Sequence, residues 1–159
     1  MTNSITGKLL ELGFDISKPI IPIANYVQTK ILGSLLFVSG QLPVKNGEVL
    51  YKGRVGEEIT FEESKEAAKL CASNALSQLS LAIDDEIDLV KSCVKLEVFV
   101  SCETGFERQS EIANSASDLI VQVLGEKGKH TRVAIGVCSL PLNSSVEICA
   151  IFEIKEKAE

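Results

Sequence analysis

From residue 60 onward the apolar residues alternate between a helical period and a period of two, and few folds accommodate that order. Thr60-Phe61-Glu62-Glu63 is a capping-box pattern. Behind it Ala68, Cys71, Ala72, Ala75, Leu79 and Ala82 recur at helical spacing, which predicts a helix over 61–83. Over 91–101 the period becomes two: Val94, Leu96, Val98 and Val100 alternate with Cys93, Lys95, Glu97 and Phe99. A second capping-box pattern, Thr104-Gly105-Phe106-Glu107, precedes Ile112, Ala116, Leu119, Ile120 and Val123, with Gly125 placed to end the helix. This predicts a helix over 105–124. Alternation returns over 132–139 and 145–154, two strands read as a hairpin.

Upstream, Leu35-Leu36-Phe37-Val38 lies between Gly33 and Gly40 and suits a buried strand. Asn46-Gly47 between Val44 and Val49 signals a tight hairpin. Residues 4–12 suit a short helix or loose arm, and Lys18 to Pro22 an extended segment. This order predicts an α+β domain with two helices on one face of a mixed or antiparallel sheet. The divisions are an N-terminal arm or short helix over 1–17 and the α+β domain over 18–159. A chain of 159 residues is one domain, and 45% apolar content excludes a disordered chain.

Sixteen Lys and Arg against 22 Asp and Glu leave a net charge of −6, the wrong sign for a phosphate-backbone binder. No apolar run is long enough to span a bilayer, and Met1 to Phe14 lacks the pattern of a secretory signal, which points to the cytoplasm. The five cysteines (Cys71, Cys93, Cys102, Cys138 and Cys149) are odd in number and form no CxxC, so reduced, buried thiols are expected. A single histidine and no Cys/His cluster give no metal site.

The face of the sheet away from the helices is expected to present Phe99, Ala134, Gly136, Cys138, Cys149 and Ile151. A solvent-facing sheet should be polar there, so another subunit is the expected cover. Arg132 and Glu147 interrupt that face, and such charges need a partner or a ligand. In a simple hairpin they would stand roughly 17 Å apart, out of reach of each other within one chain. His130 is expected on a loop, at the surface or behind the site. Gly40, in Ser39-Gly40-Gln41, would let a ligand approach the backbone.

Leu36-Phe37-Val38-Ser39-Gly40-Gln41-Leu42-Pro43 resembles the SGQ-apolar-Pro element of the RidA/YjgF family. Arg132 through Pro141, followed by Val146-Glu147-Ile148, is similar to that family's C-terminal signature. Asn114 and Tyr26 match its helix asparagine and N-terminal tyrosine. The resemblance covers about residues 20–155. The N-terminal extension and Gly128-Lys129-His130-Thr131 resemble the longer-chain subgroup.

The resemblance implies a chorismate-mutase-like fold assembled as a homotrimer around a central barrel, with ligand sites between subunits. It implies hydrolysis of reactive enamines and imines, such as 2-aminoacrylate, to 2-keto acids and ammonia, without cofactor or metal. It gives Arg132 the substrate carboxylate and Glu147 the attacking water. It gives Ser39, Gly40 and Ala134 backbone contacts, and Tyr26 and Asn114 the pocket lining. Ala134 stands where family deaminases often carry cysteine, which removes thiol chemistry there. Two other readings stay open: a non-catalytic carrier or sensor that binds a small carboxylate through Arg132, and an endoribonuclease or translation inhibitor, which the acidic charge disfavours.

Overall fold

The computed structural model describes residues 3–16 and 25–155. The extended segment expected over Lys18 to Pro22 lies outside the described residues. Helix α1 (Ile5–Glu11) precedes strands β1 (Thr29–Leu32) and β2 (Leu35–Gln41) and the small β3 (Val44–Lys45) and β4 (Glu48–Val49) pair. Helix α2 (Phe61–Ala82), strand β5 (Val90–Ser101), helix α3 (Gln109–Leu124), strand β6 (Thr131–Val137) and strand β7 (Val146–Ile154) follow.

Local chemistry explains most element ends. Thr60 caps α2, with the Glu63 side chain returning to the Thr60 backbone, as the capping-box pattern predicts. Asn46 and Gly47 take φ of 53° and 83° and close the β3–β4 turn. The second capping-box pattern does not act as one: α3 starts at Gln109, not 105, and Arg108 caps it without a side-chain bond. Residues ahead of it are still held as extended chain, since Val55 N–H donates to Ser101 O and Glu103 N–H to Val55 O. The chain then turns through Gly105 at φ 84° before it can coil.

The main sheet runs β1-β2-β7-β5-β6. β7 is antiparallel to both β2 and β5, whereas β6 is parallel to β5. The sheet is mixed, and α3 is the crossover a parallel β5–β6 pair needs. The expected hairpin between the last two strands does not form; residues 138–145 carry the chain past the end of β5 instead. Burial explains this. Val146, Ile148, Ala150, Phe152 and Ile154 are all buried, so β7 takes the centre under α2. β6, with Thr131, Arg132 and Gly136, takes the edge.

Leu36, Val38, Leu96, Val98 and the inward residues of β7 form the floor on which α2 and α3 pack. The α2 contacts are small, at Ala67, Ala68, Cys71, Ala72 and Ala75, which lets the helix backbone come close. Helix α1 is not a loose arm. Ile5 and Leu9 are fully buried, the Thr6 N–H and hydroxyl donate to Asp85, and Lys8 Nζ donates to Val123 O, 3.0 Å away, near the end of α3. Phe152 is fully buried in the central strand. Phe152→Ala is expected to lower unfolding free energy by about 4 kcal/mol, read from denaturant melts with an unchanged slope.

The parallel register also corrects the expected second face. Leu96 pairs with Arg132, Val98 with Ala134 and Val100 with Gly136, so these three β6 residues look toward α3. A Cβ on Gly136 would lie 2.7 Å from Gln109 Nε2 at the start of that helix. The open face instead receives Val133 and Ile135, beside Phe99, Phe37, Cys149 and Ile151. Phe37, Val133 and Ile135 are 37%, 37% and 43% exposed, so these apolar side chains stay uncovered in one chain, beside the Lys95–Glu97 ion pair and Glu147 on the same face. All five thiols are free, but Cys138 is exposed and Cys149 half-buried rather than buried.

Candidate functional site

The residues singled out in the sequence gather in two clusters on opposite faces of the sheet. The first forms around an irregularity in β2. Val38 pairs with Ala150, but Gln41 pairs with Ile148, so β2 spends one extra residue there. Such a bulge re-aims neighbouring side chains. It is held by Ser39, whose N–H donates to Gln28 O at 2.9 Å and whose Oγ donates to Val27 O at 2.7 Å. The buried Gln41 amide donates to Gln28 Oε1 at 2.7 Å and to Ser39 O at 2.9 Å. Tyr26, half exposed, precedes Val27 and Gln28, which receive three of these four bonds.

The bulge places Gly40 against Glu147 on β7. A Cβ at Gly40 would stand 2.0 Å from Glu147 Oε1, so any larger residue here would push that carboxylate from its place. On its other side Glu147 is paired with Phe99. Among the described residues no donor or cation reaches the carboxylate. Burial raises its pKa above the ordinary carboxylate range. Cys149 lies on the same face, but burial, with Glu147 and Glu97 nearby, pushes its thiol up to about 11. It is therefore a protonated thiol at neutral pH and no nucleophile.

The second cluster lies on the α3 side. Arg132 Nη1 donates to Asn114 Oδ1 and to Ser117 Oγ, both at 3.0 Å, and Nη2 donates to Ser110 O at 3.3 Å. Residues 110, 114 and 117 share one helix face at i, i+4 and i+7. That spacing is a signal for Ser117, one turn after Asn114, whereas Ser110 contributes only its backbone carbonyl, which residue identity does not announce. A guanidinium has five N–H groups. Three are used by α3, which leaves Nε–H and one Nη2–H, the parallel pair that meets a carboxylate side-on. Ala134 is half-buried beside this cluster on the edge strand, two residues from Arg132 and facing the same way.

Arg132 and Glu147 thus point to opposite faces. They lie across β5 with a three-residue offset, because Leu96 pairs with Arg132 and Phe99 with Glu147. Their Cα atoms are roughly 14 Å apart by strand geometry. One chain brings together Gly40, Ser39 and Glu147, and separately Arg132, Asn114 and Ala134, but not both groups.

A family model described as "YjgF/chorismate_mutase-like, putative endoribonuclease" matches residues 6–156. Protein TCP17 of Trypanosoma cruzi is 40% identical over 151 residues, 94% of each chain. The crystal structure of Atu1372 from Agrobacterium tumefaciens, a protein of unknown function, superposes with a TM-score of 0.88 at 44% identity, covering 96% of this chain and 94% of that one. A crystal structure of Escherichia coli TdcF with bound serine gives a TM-score of 0.55 at 25% identity, covering 85% and 91%. Among the described residues no helix is long and apolar enough to cross a membrane. With this fold and the Ser39-Gly40-Gln41 and Arg132-to-Glu147 elements in place, the chain belongs to the RidA/YjgF family.

Proposed function

We propose that this protein hydrolyses small 2-imino acids, and their enamine tautomers, to 2-keto acids and ammonia in the cytoplasm. The proposed site lies in a cleft where the Arg132 cluster of one subunit meets the Glu147 cluster of another, within a homotrimer whose sheets form a central barrel. The observation that carries the reading is the guanidinium held by α3 with its Nε–H and Nη2–H edge free. A planar fork of that kind suits the carboxylate of a 2-imino acid. The exposed apolar side chains of the open face support the assembly, because a second copy would cover them.

In this mechanism the carboxylate docks on Arg132, and backbone groups near Gly40 and Ala134 hold the imine. Glu147 takes a proton from water as the oxygen bonds to the imine carbon. The same carboxyl returns that proton to nitrogen, giving a carbinolamine; it then takes the hydroxyl proton as the C=O bond forms and passes it to nitrogen, so the C–N bond breaks and ammonia leaves a keto acid. A carboxyl with a raised pKa suits both transfers near neutral pH. No cofactor or metal enters these steps.

One observation favours a second reading. The arginine cradle alone is enough to hold a small carboxylate, and the TdcF structure contains serine. A non-catalytic carrier would need Arg132 and not Glu147. Ribonuclease action is disfavoured by the net charge of −6.

The test is hydrolysis of 2-aminoacrylate released in situ by a pyridoxal-phosphate lyase, followed by competition with a trapping amine. Wild-type protein is expected to speed its disappearance. No acceleration over a range of amino-acid precursors would overturn the deaminase reading in favour of the carrier.

A further inference from the structure

The Arg132 cradle continues into a side chain that has no place in the scheme above. His130 is bonded through both ring nitrogens: Nδ1 lies 2.5 Å from Gly128 O, and Nε2 lies 2.9 Å from Ser117 Oγ. A carbonyl can only accept, so Nδ1 carries the proton, and Nε2 of the neutral ring is an acceptor. Ser117 therefore gives its hydroxyl hydrogen to Nε2 and keeps a lone pair for Arg132 Nη1. All donors run one way, from Arg132 to Ser117 to His130 to the Gly128 carbonyl.

The end of that chain is rigid. Helix α3 stops at Gly125, at φ 63°, and a short turn over Gly125–Gly128 folds back along the helix. A Cβ on Gly128 would lie 2.7 Å from Ile120 O and 2.8 Å from Val121 Cα, so the turn rests directly on the helix backbone. The accepting carbonyl is thereby fixed relative to Ser117, two turns back along α3.

We infer that His130 is a positioning residue: acting through Ser117, it orients the Arg132 guanidinium so that its Nε–H and Nη2–H edge faces away from α3, free for a carboxylate. This rests on the reading of Arg132 as the carboxylate anchor. Without Nε2 as acceptor, the Ser117 hydroxyl is free to rotate and to present its hydrogen to Nη1, which has only hydrogens to offer. The guanidinium then loses one of its three tethers.

Two substitutions separate this role from simple anchoring of the turn. The His130→Gln amide reaches the place of Nε2 and offers Ser117 an acceptor. The His130→Asn amide reaches the place of Nδ1 and can still donate to Gly128 O, but it leaves Ser117 unpaired. Ser117→Ala cuts the relay without touching the turn. Each protein is labelled with 15N-arginine for NMR, and its affinity for 2-oxobutanoate is measured by calorimetry, with thermal melts to confirm folding.

The expected result is hindered rotation of the Arg132 guanidinium in wild type and His130→Gln, and averaged Nη signals in His130→Asn and Ser117→Ala. The latter two are expected to bind 2-oxobutanoate about tenfold more weakly, the scale of one hydrogen bond to a charged group. His130→Gln should stay within about threefold of wild type. If His130→Asn behaves like wild type, the histidine only anchors the turn and the inference fails. It fails equally if rotation is freed and affinity is unchanged while Arg132→Ala still weakens binding. If Arg132→Ala binds 2-oxobutanoate as wild type does, the carboxylate reading is what fails, and the NMR comparison alone decides whether His130 holds Arg132.

Discussion

Arg132→Ala is expected to lower kcat/KM for 2-aminoacrylate hydrolysis by about a hundredfold or more, the scale of losing a bidentate charge-assisted pair. The loss should fall mainly on KM, because the carboxylate is bound in ground state and transition state alike. Arg132→Lys keeps the charge but loses the planar fork, and its single ammonium cannot serve Asn114, Ser117, Ser110 and a ligand together. It should recover only a small part of the activity. The stability cost of either change is small, since Arg132 sits on an edge strand and its helix partners are open to water. An Arg132→Ala protein with normal melting and unchanged kcat/KM would exclude this residue from the site.

Glu147→Gln carries the second large effect: kcat falls by about two to three orders of magnitude, typical of removing a general base, while 2-oxobutanoate affinity changes little. Retained turnover would exclude Glu147 as the group that activates water. The same variant has a second, opposite consequence. Burial raises the Glu147 pKa, so between the unfolded and folded values the native chain binds more protons than the unfolded one. Stability attached to this group is therefore highest at low pH and is lost as pH rises through the raised folded pKa. Glu147→Gln should thus melt higher than wild type at neutral pH, and the gap should close on acidification. Mixing the two inactive variants also tests assembly. Because Arg132 and Glu147 face opposite sides of one sheet, refolding Arg132→Ala with Glu147→Gln should restore about a quarter of wild-type activity if sites join two subunits at random. No recovery would mean that the two residues act separately.

Much of the local structure was legible from single residues. Thr60 and Glu63 announce the start of α2, Gly125 the end of α3, and Asn46-Gly47 the small hairpin, because each depends on bonds within a few residues. The same logic failed at Thr104, where pairing of the preceding chain with Val55 delays the helix. It failed again for the last two strands. Alternation shows that β6 and β7 each have two faces, but not which strand lies beside which. That choice went to the more apolar β7, which fills the centre of the sheet under α2, while α3 lies over β5 and β6.

The site divides in the same way. Arg132 and Glu147 stood out because charges interrupt apolar strands, and the RidA/YjgF resemblance named Gly40 and Asn114 beside them. Their sides of the sheet could not be read, since one register against β5 decides whether Arg132 meets α3 or the open face. The contacts of Ser117, His130 and Gln41 could not be read from the sequence, because they reach residues in other elements. Residue identity alone determined most of the elements, the two interrupting charges and the glycine after Ser39. Only the tertiary structure decided that the pair is split across the sheet. Helix caps and strand alternation are set by neighbours in sequence, whereas strand order and facing are settled by competition among all strands for the buried centre.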